Sequence, residues 1–370
     1  MLGSTLKAPL RSTRGPSTAA TSAIAACFLV FLVWATRARV SGDTQPFHLR
    51  QATPAWNIAM GKDSGSLLTS PAFAGARAHA APLRYDAAIM NKWGLHRPTC
   101  APGGDFLVAK TGMSNGWICG TTGELSVVAA MHRVLDAECA QGGNPGRQPG
   151  LGNLFLDVGS NSGFYGLMAL AAGCPAVFFD LQPGCNKVVT GALLANGWAD
   201  KGLVVAGGLS EASGTVMASS NGTCDRGSGR FPINVLEAGT ADQGDARVPT
   251  EPLANFIGPD THILMMKVDT EGFEQRVLAG CMPYFERRLI KHAIVEVTAG
   301  YKFWESRGID ALDVAATFER IVRAGYSLTL LLNAVDAKAG NGTKMTDPSA
   351  VRDWVLARKM GQVDVMLSLA

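Results

Sequence analysis

Asp157, Gly159, Asn161 and Gly163 stand at two-residue intervals directly after an apolar run. The run, Leu154 to Leu156 within 154–158, reads as a buried parallel strand, and apolar helical sequence follows the glycines. Glycines at such a strand-to-helix turn let the backbone come close to a bound nucleotide. A dinucleotide fingerprint would read Gly-x-Gly-x-x-Gly, but the pattern here is Asp-x-Gly-x-Asn-x-Gly, with Ser160 inside it. S-adenosylmethionine has no pyrophosphate to rest on a helix N-terminus. It presents an amine, a carboxylate and a ribose to hydrogen-bonding groups, and this pattern suits it better than NAD. A tight packing turn would use the same glycines. Asp180 ends a second apolar run, 176–181, and lies 21 positions after Gly159. One βαβ unit places about that separation between a nucleotide loop and a ribose-binding carboxylate. Gln182 follows it and joins the candidate cofactor-binding set.

A third constellation is Lys267-Val-Asp-Thr-Glu-Gly-Phe-Glu274, at the end of the apolar run 262–268 and ahead of Val277, Leu278 and Gly280. At these residues the sequence resembles the FkbM-type S-adenosylmethionine-dependent methyltransferases. Their hallmark is a strand ending Lys-Ile-Asp-x-Glu-Gly-x-Glu, followed by x-x-Val-Leu-x-Gly. Their first motif, Asp-x-Gly-Ala-Asn-x-Gly, is met with Ser160 in place of Ala. Their Glu-Pro-x-Pro is met in part by Asp180-Leu-Gln-Pro183, and Asn196-Gly197 is similar to the pair before their third strand. The likeness runs from about residue 150 to the C-terminus. It implies S-adenosylmethionine as cofactor and a class I methyltransferase sheet of seven strands whose last strand is antiparallel.

Methyl transfer is an in-line displacement at a sulfonium carbon, so the protein mainly has to hold a nucleophile about 3–3.5 Å from it. If the acceptor is a hydroxyl, a carboxylate at a strand tip must take its proton. Asp269 is the first choice, with Glu271 as its partner and Lys267 as the cation that pairs with them. Asp269 and Glu271 are also close enough in sequence to share a divalent ion, although no metal ligand is assigned. Glu271 and Glu274 would equally suit a helix N-terminus, where carboxylates offset the dipole. Glu296 ends a fifth run just before Tyr301, Phe303 and Trp304, aromatics that would stack on a sugar or simply pack.

These groups need an alternating α/β scaffold. Strands are expected at 154–158, 176–181, 203–207, 262–268, 293–297, 328–332 and 364–369, and helices at 125–135, 162–172, 185–195 and 311–324. The alternation implies a doubly wound, Rossmann-like sheet with ligands at its C-terminal strand ends. Residues 151–370 form the methyltransferase-like domain, with 86–150 as a helical cap. Residues 209–250, polar and rich in Gly and Ser, make a connection long enough to touch substrate or to be disordered.

Upstream, 37–85 reads as a flexible stem and 18–36 as a single membrane-spanning signal anchor. Residues 1–17 form a short cytoplasmic tail. A cleaved signal peptide or an organelle transit peptide are the alternatives. The anchor would put the body in the Golgi or another secretory lumen. Two glycosylation tripeptides, Asn221-Gly-Thr223 and Asn341-Gly-Thr343, agree with that side. The chain has 370 residues, 47% of them hydrophobic, enough for one sizeable domain with extra segments. Five basic residues precede the first acid, Asp43; without them 28 basic residues face 30 acidic ones. A slightly acidic body argues against a nucleic-acid partner.

Of eight cysteines, Cys27 lies in the anchor and seven follow it, an odd number. Cys174 and Cys185 flank a six-residue strand at about 3.3 Å per residue, too far apart to bridge. Cys100 with Cys119 is a plausible bridge over a loop-rich stretch, with free thiols as the alternative. The leading expectation is a membrane-anchored O-methyltransferase acting on a glycan or another small hydroxyl-bearing acceptor. A catalytically silent glycan-binding protein on the same fold is the alternative. An NAD-dependent nucleotide-sugar enzyme is disfavoured by the glycine spacing and by the lack of a Tyr-x-x-x-Lys pair.

Overall fold

The computed structural model describes residues 70–100, 105–110, 118–119, 124–139, 152–219, 224, 245–299, 304–331, 342–358 and 361–369. The expected strands are found at Leu154–Val158 (β1), Ala176–Asp180 (β2), Gly202–Ala206 (β3), Ile263–Val268 (β4), Ile290–Ala299 (β5), Tyr326–Leu331 (β6) and Gly361–Leu369. A two-residue strand that sequence reading did not anticipate, Lys344–Met345 (β7), makes Gly361–Leu369 the eighth (β8). The sheet order is β7-β6-β8-β5-β4-β1-β2-β3. Pairing is parallel from β3 through β5. β8 runs antiparallel to both β5 and β6, so the last strand in sequence is antiparallel as expected, in a sheet of eight rather than seven.

The order reverses between β1 and β4. From β1 the chain adds strands on one side, and from β4 it adds them on the other. A doubly wound sheet opens its ligand crevice at that switch point, outside the C-terminal strand ends. Asp157 and the glycine turn leave β1 there, and Asp269 leaves β4 beside them.

The helices that flank the sheet include Leu125–Glu138 (α1), Phe164–Ala171 (α2), Pro183–Ala195 (α3), Glu274–Glu286 (α4), Ala311–Arg323 (α5) and Pro348–Ala357 (α6). Their ends follow local chemistry. Asp310 caps α5 by accepting from the Leu312 N–H at 2.8 Å. Asp347 caps α6 by accepting from the Ser349 N–H at 3.0 Å, with Pro348 in the first turn. Strand side chains alternate between two apolar layers. Leu154, Leu156, Met266, Val268, Val295 and Val365 pack beneath Val277, Leu278, Val314, Phe318 and Val351 of α4, α5 and α6. Phe155, Met265 and Ile294 face Val127, Met131, Leu167 and Val189 of α1, α2 and α3. The second face matters for function, because alternation also puts Asp157, Lys267, Glu296 and Asp364 on it.

Part of the tract read as stem is packed instead. Phe73 and Ala76 are buried in the core, and Ala80 bridges Val205 of β3, closing that sheet edge. Within the 209–250 connection, Gly214–Ser219 pairs antiparallel with Asp245–Glu251, which also pairs with Gly208–Leu209. Among the described residues no helix is long and apolar enough to cross a membrane. The anchor at 18–36, Asn221 and Asn341 lie outside the described residues.

Among the described residues three disulfides join Cys100 to Cys119, Cys139 to Cys174 and Cys185 to Cys224, and Cys281 is a free buried thiol. The first is the pair that spacing suggested. Cys174 and Cys185 do not join each other; each reaches a cysteine on another segment.

Candidate active site

The glycine turn is held on three sides. Gly159 adopts φ +79°, and a Cβ there would lie 1.9 Å from the Asp269 carbonyl oxygen. Its glycine is therefore required where the β1 and β4 ends touch, independently of any ligand. The Gly159 and Ser160 N–H groups donate to the Phe179 carbonyl of β2 at 2.9 and 3.1 Å. Asn161 has φ +48°, and Gly163, at φ +78°, enters α2. The Asp157 carboxylate accepts from the Gly166 N–H of α2 at 2.8 Å. Asp180 accepts from the Asn161 N–H and the Gln182 N–H, both at 2.7 Å. Each acid fixes backbone and keeps further acceptor capacity, since a carboxylate has about four lone-pair positions. Burial pushes the Asp157 carboxyl up to about 7 and that of Asp180 up to about 6. Ser160 Oγ and Asn186 Oδ1 are buried here with no partner among the described residues.

The β4 end carries the second group. Lys267 is only 1% exposed. Its Nζ lies 3.2 Å from Asp364 Oδ1, 3.5 Å from Asp269 Oδ2 and 5.6 Å from the centre of the Tyr165 ring. Asp364 of β8 stands opposite Glu296 of β5 in the antiparallel register. Glu296 hydrogen-bonds Asp269, and the Tyr165 hydroxyl of α2 bonds the Glu124 carboxylate just before α1. Burial alone would raise Asp269, but the Lys267 charge and the Glu296 hydrogen bond outweigh it and hold this carboxyl below its usual range. Burial and the neighbouring Asp269 charge drive Glu296 well above its usual range, so it carries the proton of that pair. Burial opposes the Lys267 charge, yet Asp364 and Asp269 keep it firmly protonated. Burial lifts Glu124 to about 7.

The turn after β4 is strained and braced. Glu271 is a non-glycine residue at φ +53°. Its carbonyl accepts from Arg307 Nε at 3.2 Å, and the Arg307 guanidinium lies 5.3 Å from the Phe273 ring centre. Glu274 Oε1 accepts from the Thr270 N–H at 2.9 Å, the Gly272 N–H at 3.0 Å and the Thr270 hydroxyl at 3.0 Å. Glu274 is thus the clamp of the turn. The Glu271 carboxylate, by contrast, has no hydrogen-bond partner among the described residues. Burial, with Asp269 and Glu274 adding to it and Arg307 opposing, raises it to about 8.

The structure places Lys267 beside Asp157 in the strand register and Asp269 against Gly159 of the glycine turn, with Glu271 two residues on in the turn that follows β4. It adds Glu124, Tyr165 and Asp364, which local sequence did not single out, and draws in Glu296. Asp364 had a readable signal, a lone acid in the apolar alternation of 363–367. Glu124 and Tyr165 had none. Thr298, two residues beyond Glu296 on the same face, has a buried hydroxyl without a partner among the described residues. Other motif residues serve packing. Asn196 exchanges two 2.8 Å hydrogen bonds with the Leu107 backbone, and a Cβ at Gly280 would lie 2.1 Å from the Ser210 carbonyl oxygen. Trp304 is buried in the core, while Tyr301 and Phe303 lie outside the described residues. Among the described residues no group of three or more His, Cys, Asp or Glu is arranged to hold a metal ion.

No family model matches this chain, and no curated protein matches it significantly. Solved structures similar to it include a precorrin-6y C5,15-methyltransferase from Geobacter metallireducens, at 10% identity over 65% of this chain and 85% of the other, with a TM-score of 0.28. A SAM-dependent methyltransferase from Agrobacterium tumefaciens matches at 9% identity over 72% of this chain and 67% of its own, TM-score 0.34. A geranyl diphosphate methyltransferase solved with geranyl diphosphate and sinefungin matches at 13% identity over 81% and 100%, TM-score 0.30. At these scores the likenesses decide nothing by themselves. The functional reading rests on this chain's own residues.

Proposed function

We propose that this protein is an S-adenosylmethionine-dependent methyltransferase of the FkbM type. Its acceptor is a hydroxyl on a glycan or another small secretory-pathway molecule. The observation that carries the reading is the meeting, at the switch point of the sheet, of the glycine turn with Asp157, of Asp180 at the β2 end, and of the Lys267–Asp269–Glu271 end of β4.

The residues fit the cofactor. Asp180 stands one βαβ unit from the turn with lone pairs left for a ribose. Asp157 keeps acceptor capacity for an amine, and the unpartnered Ser160 hydroxyl is a buried group that a polar ligand would satisfy. The cofactor, when bound, supplies an activated methyl group. The chain's own work is to orient it, exclude water through α1 and α2, and hold a proton acceptor at the β4 end. The Asp269 carboxylate, held ionised at the β4 end, also favours a ligand with a cationic sulfur. The three disulfides support residence in an oxidising lumen, and with it the signal-anchor reading of residues 18–36.

Calorimetric titration of the purified chain with S-adenosylmethionine tests the reading. Saturable binding is expected, reduced at least about 100-fold by Asp180→Ala, a loss of about 2.7 kcal/mol. An absence of binding by the wild-type chain overturns it.

A further inference from the structure

Resting on that reading, we infer that Glu271, and not Asp269, is the residue that takes the proton from the acceptor hydroxyl, with Asp269 acting as a fixed anion.

The two carboxylates are two residues apart but stand in opposite situations. Asp269 is committed. It faces Lys267 Nζ at 3.5 Å and receives the Glu296 proton, and an anion stabilised from two sides is a weak base. Glu271 is uncommitted. Its carboxylate makes no hydrogen bond with the described residues, although its backbone is held at φ +53°. Three contacts over-determine that conformation: Arg307 on its carbonyl, and Glu274 on the N–H groups of Thr270 and Gly272. A backbone strained this way and braced on both sides directs a side chain that no described residue holds by a hydrogen bond. The charged groups facing it are Asp269 from the β4 end, Glu274 from α4, Arg307 from the turn Glu305–Arg307, and Glu124 ahead of α1. Three of the four are acids, which strengthens the affinity of Glu271 for a proton.

The step balances as follows. The acceptor oxygen forms a bond to the methyl carbon, and the carbon–sulfur bond breaks with its electron pair left on sulfur. The sulfonium becomes a neutral thioether, and the hydroxyl proton moves to the Glu271 carboxylate. Before reaction the acid cluster keeps Glu271 largely protonated. A sulfonium nearby lowers its proton affinity and leaves it ionised, so the cationic cofactor itself switches the base on. The neutral thioether product lets the proton stay.

Proton release measured by calorimetry in two buffers of unequal ionisation enthalpy, at about pH 7.5, tests this on the full chain. S-adenosylmethionine should release more protons than the uncharged-sulfur analogue S-adenosylhomocysteine. Glu271→Gln should bind both within about threefold of wild type and lose that difference. Retained S-adenosylhomocysteine affinity reports an intact fold. Equal release with both ligands in the wild type, or an undiminished difference in Glu271→Gln, overturns the assignment alone. Failure of the wild type to bind S-adenosylmethionine overturns the methyltransferase reading and this inference with it.

Discussion

Lys267 sets the charge balance of the β4 end, because it is the cation held directly against Asp269 and Asp364. Removing one partner of a buried ion cluster leaves uncompensated charge, at about 3–5 kcal/mol. Lys267→Met should therefore lower the free energy of unfolding by about that amount in urea titration. A loss under about 1 kcal/mol would mean that the carboxylates protonate and relax without it. This site was half legible in sequence. Lys267, Asp269 and Glu271 are neighbours in one motif, and period-two alternation already puts Lys267 and Asp269 on one face. Asp364 lies 97 positions from Lys267, and the pair forms only because β8 inserts antiparallel beside β5. Chain-local patterns carry no information about such a meeting. The roles within the motif were equally hidden: which carboxylate is committed and which is free depends on Glu296, Arg307 and Glu274 in three dimensions.

At the scale of elements, the buried strands were legible because each is a short apolar run closed by a polar or glycine signal. β7 is two residues long and gives no periodicity to read. The helix Pro348–Ala357 is absent from the expected elements although its Asp347-Pro348 start is a capping signal present in the sequence. The strands within the 209–250 connection are not legible, because they are polar and separated by a long Gly-rich tract. Disulfide partners were the least readable feature, since strand length could exclude Cys174–Cys185 but could not choose among the rest. Cys139 at the end of α1 and Cys174 just before β2 close a 35-residue separation. Chain-entropy reasoning gives such a link at most about 4 kcal/mol. Replacing both by alanine should lower the denaturant midpoint accordingly, and non-reducing peptide mapping should return the three pairs found here with Cys281 unlinked. Different pairings, or an unchanged midpoint, would contradict this arrangement.

Across the whole molecule, buried acids make stability pH-dependent in an unusual direction. Asp157, Glu124 and Glu271 bind protons up to about 7, 7 and 8, against ordinary values of 3.8, 4.5 and 4.5. Above pH 6.5 the unfolded chain has already lost those protons while the native state still holds them. Native stability therefore falls as pH rises from about 6.5 to 8. His292, held down at about 4 by burial and by Lys291, acts in the opposite sense only below its ordinary 6.5. Thermal melts of the ligand-free protein should show a midpoint declining across that window; a rising midpoint would mean the acids are already ionised in the native state.

The most direct measurement is a crystal structure of the protein with S-adenosylhomocysteine. The account predicts the ribose hydroxyls on Asp180, the adenosine beside the Asp157–Gly163 turn, and the sulfur directed at the end of β4 beside Glu271. A nucleoside bound elsewhere, or a crevice at the β1–β4 switch point filled by the protein's own side chains, would contradict it.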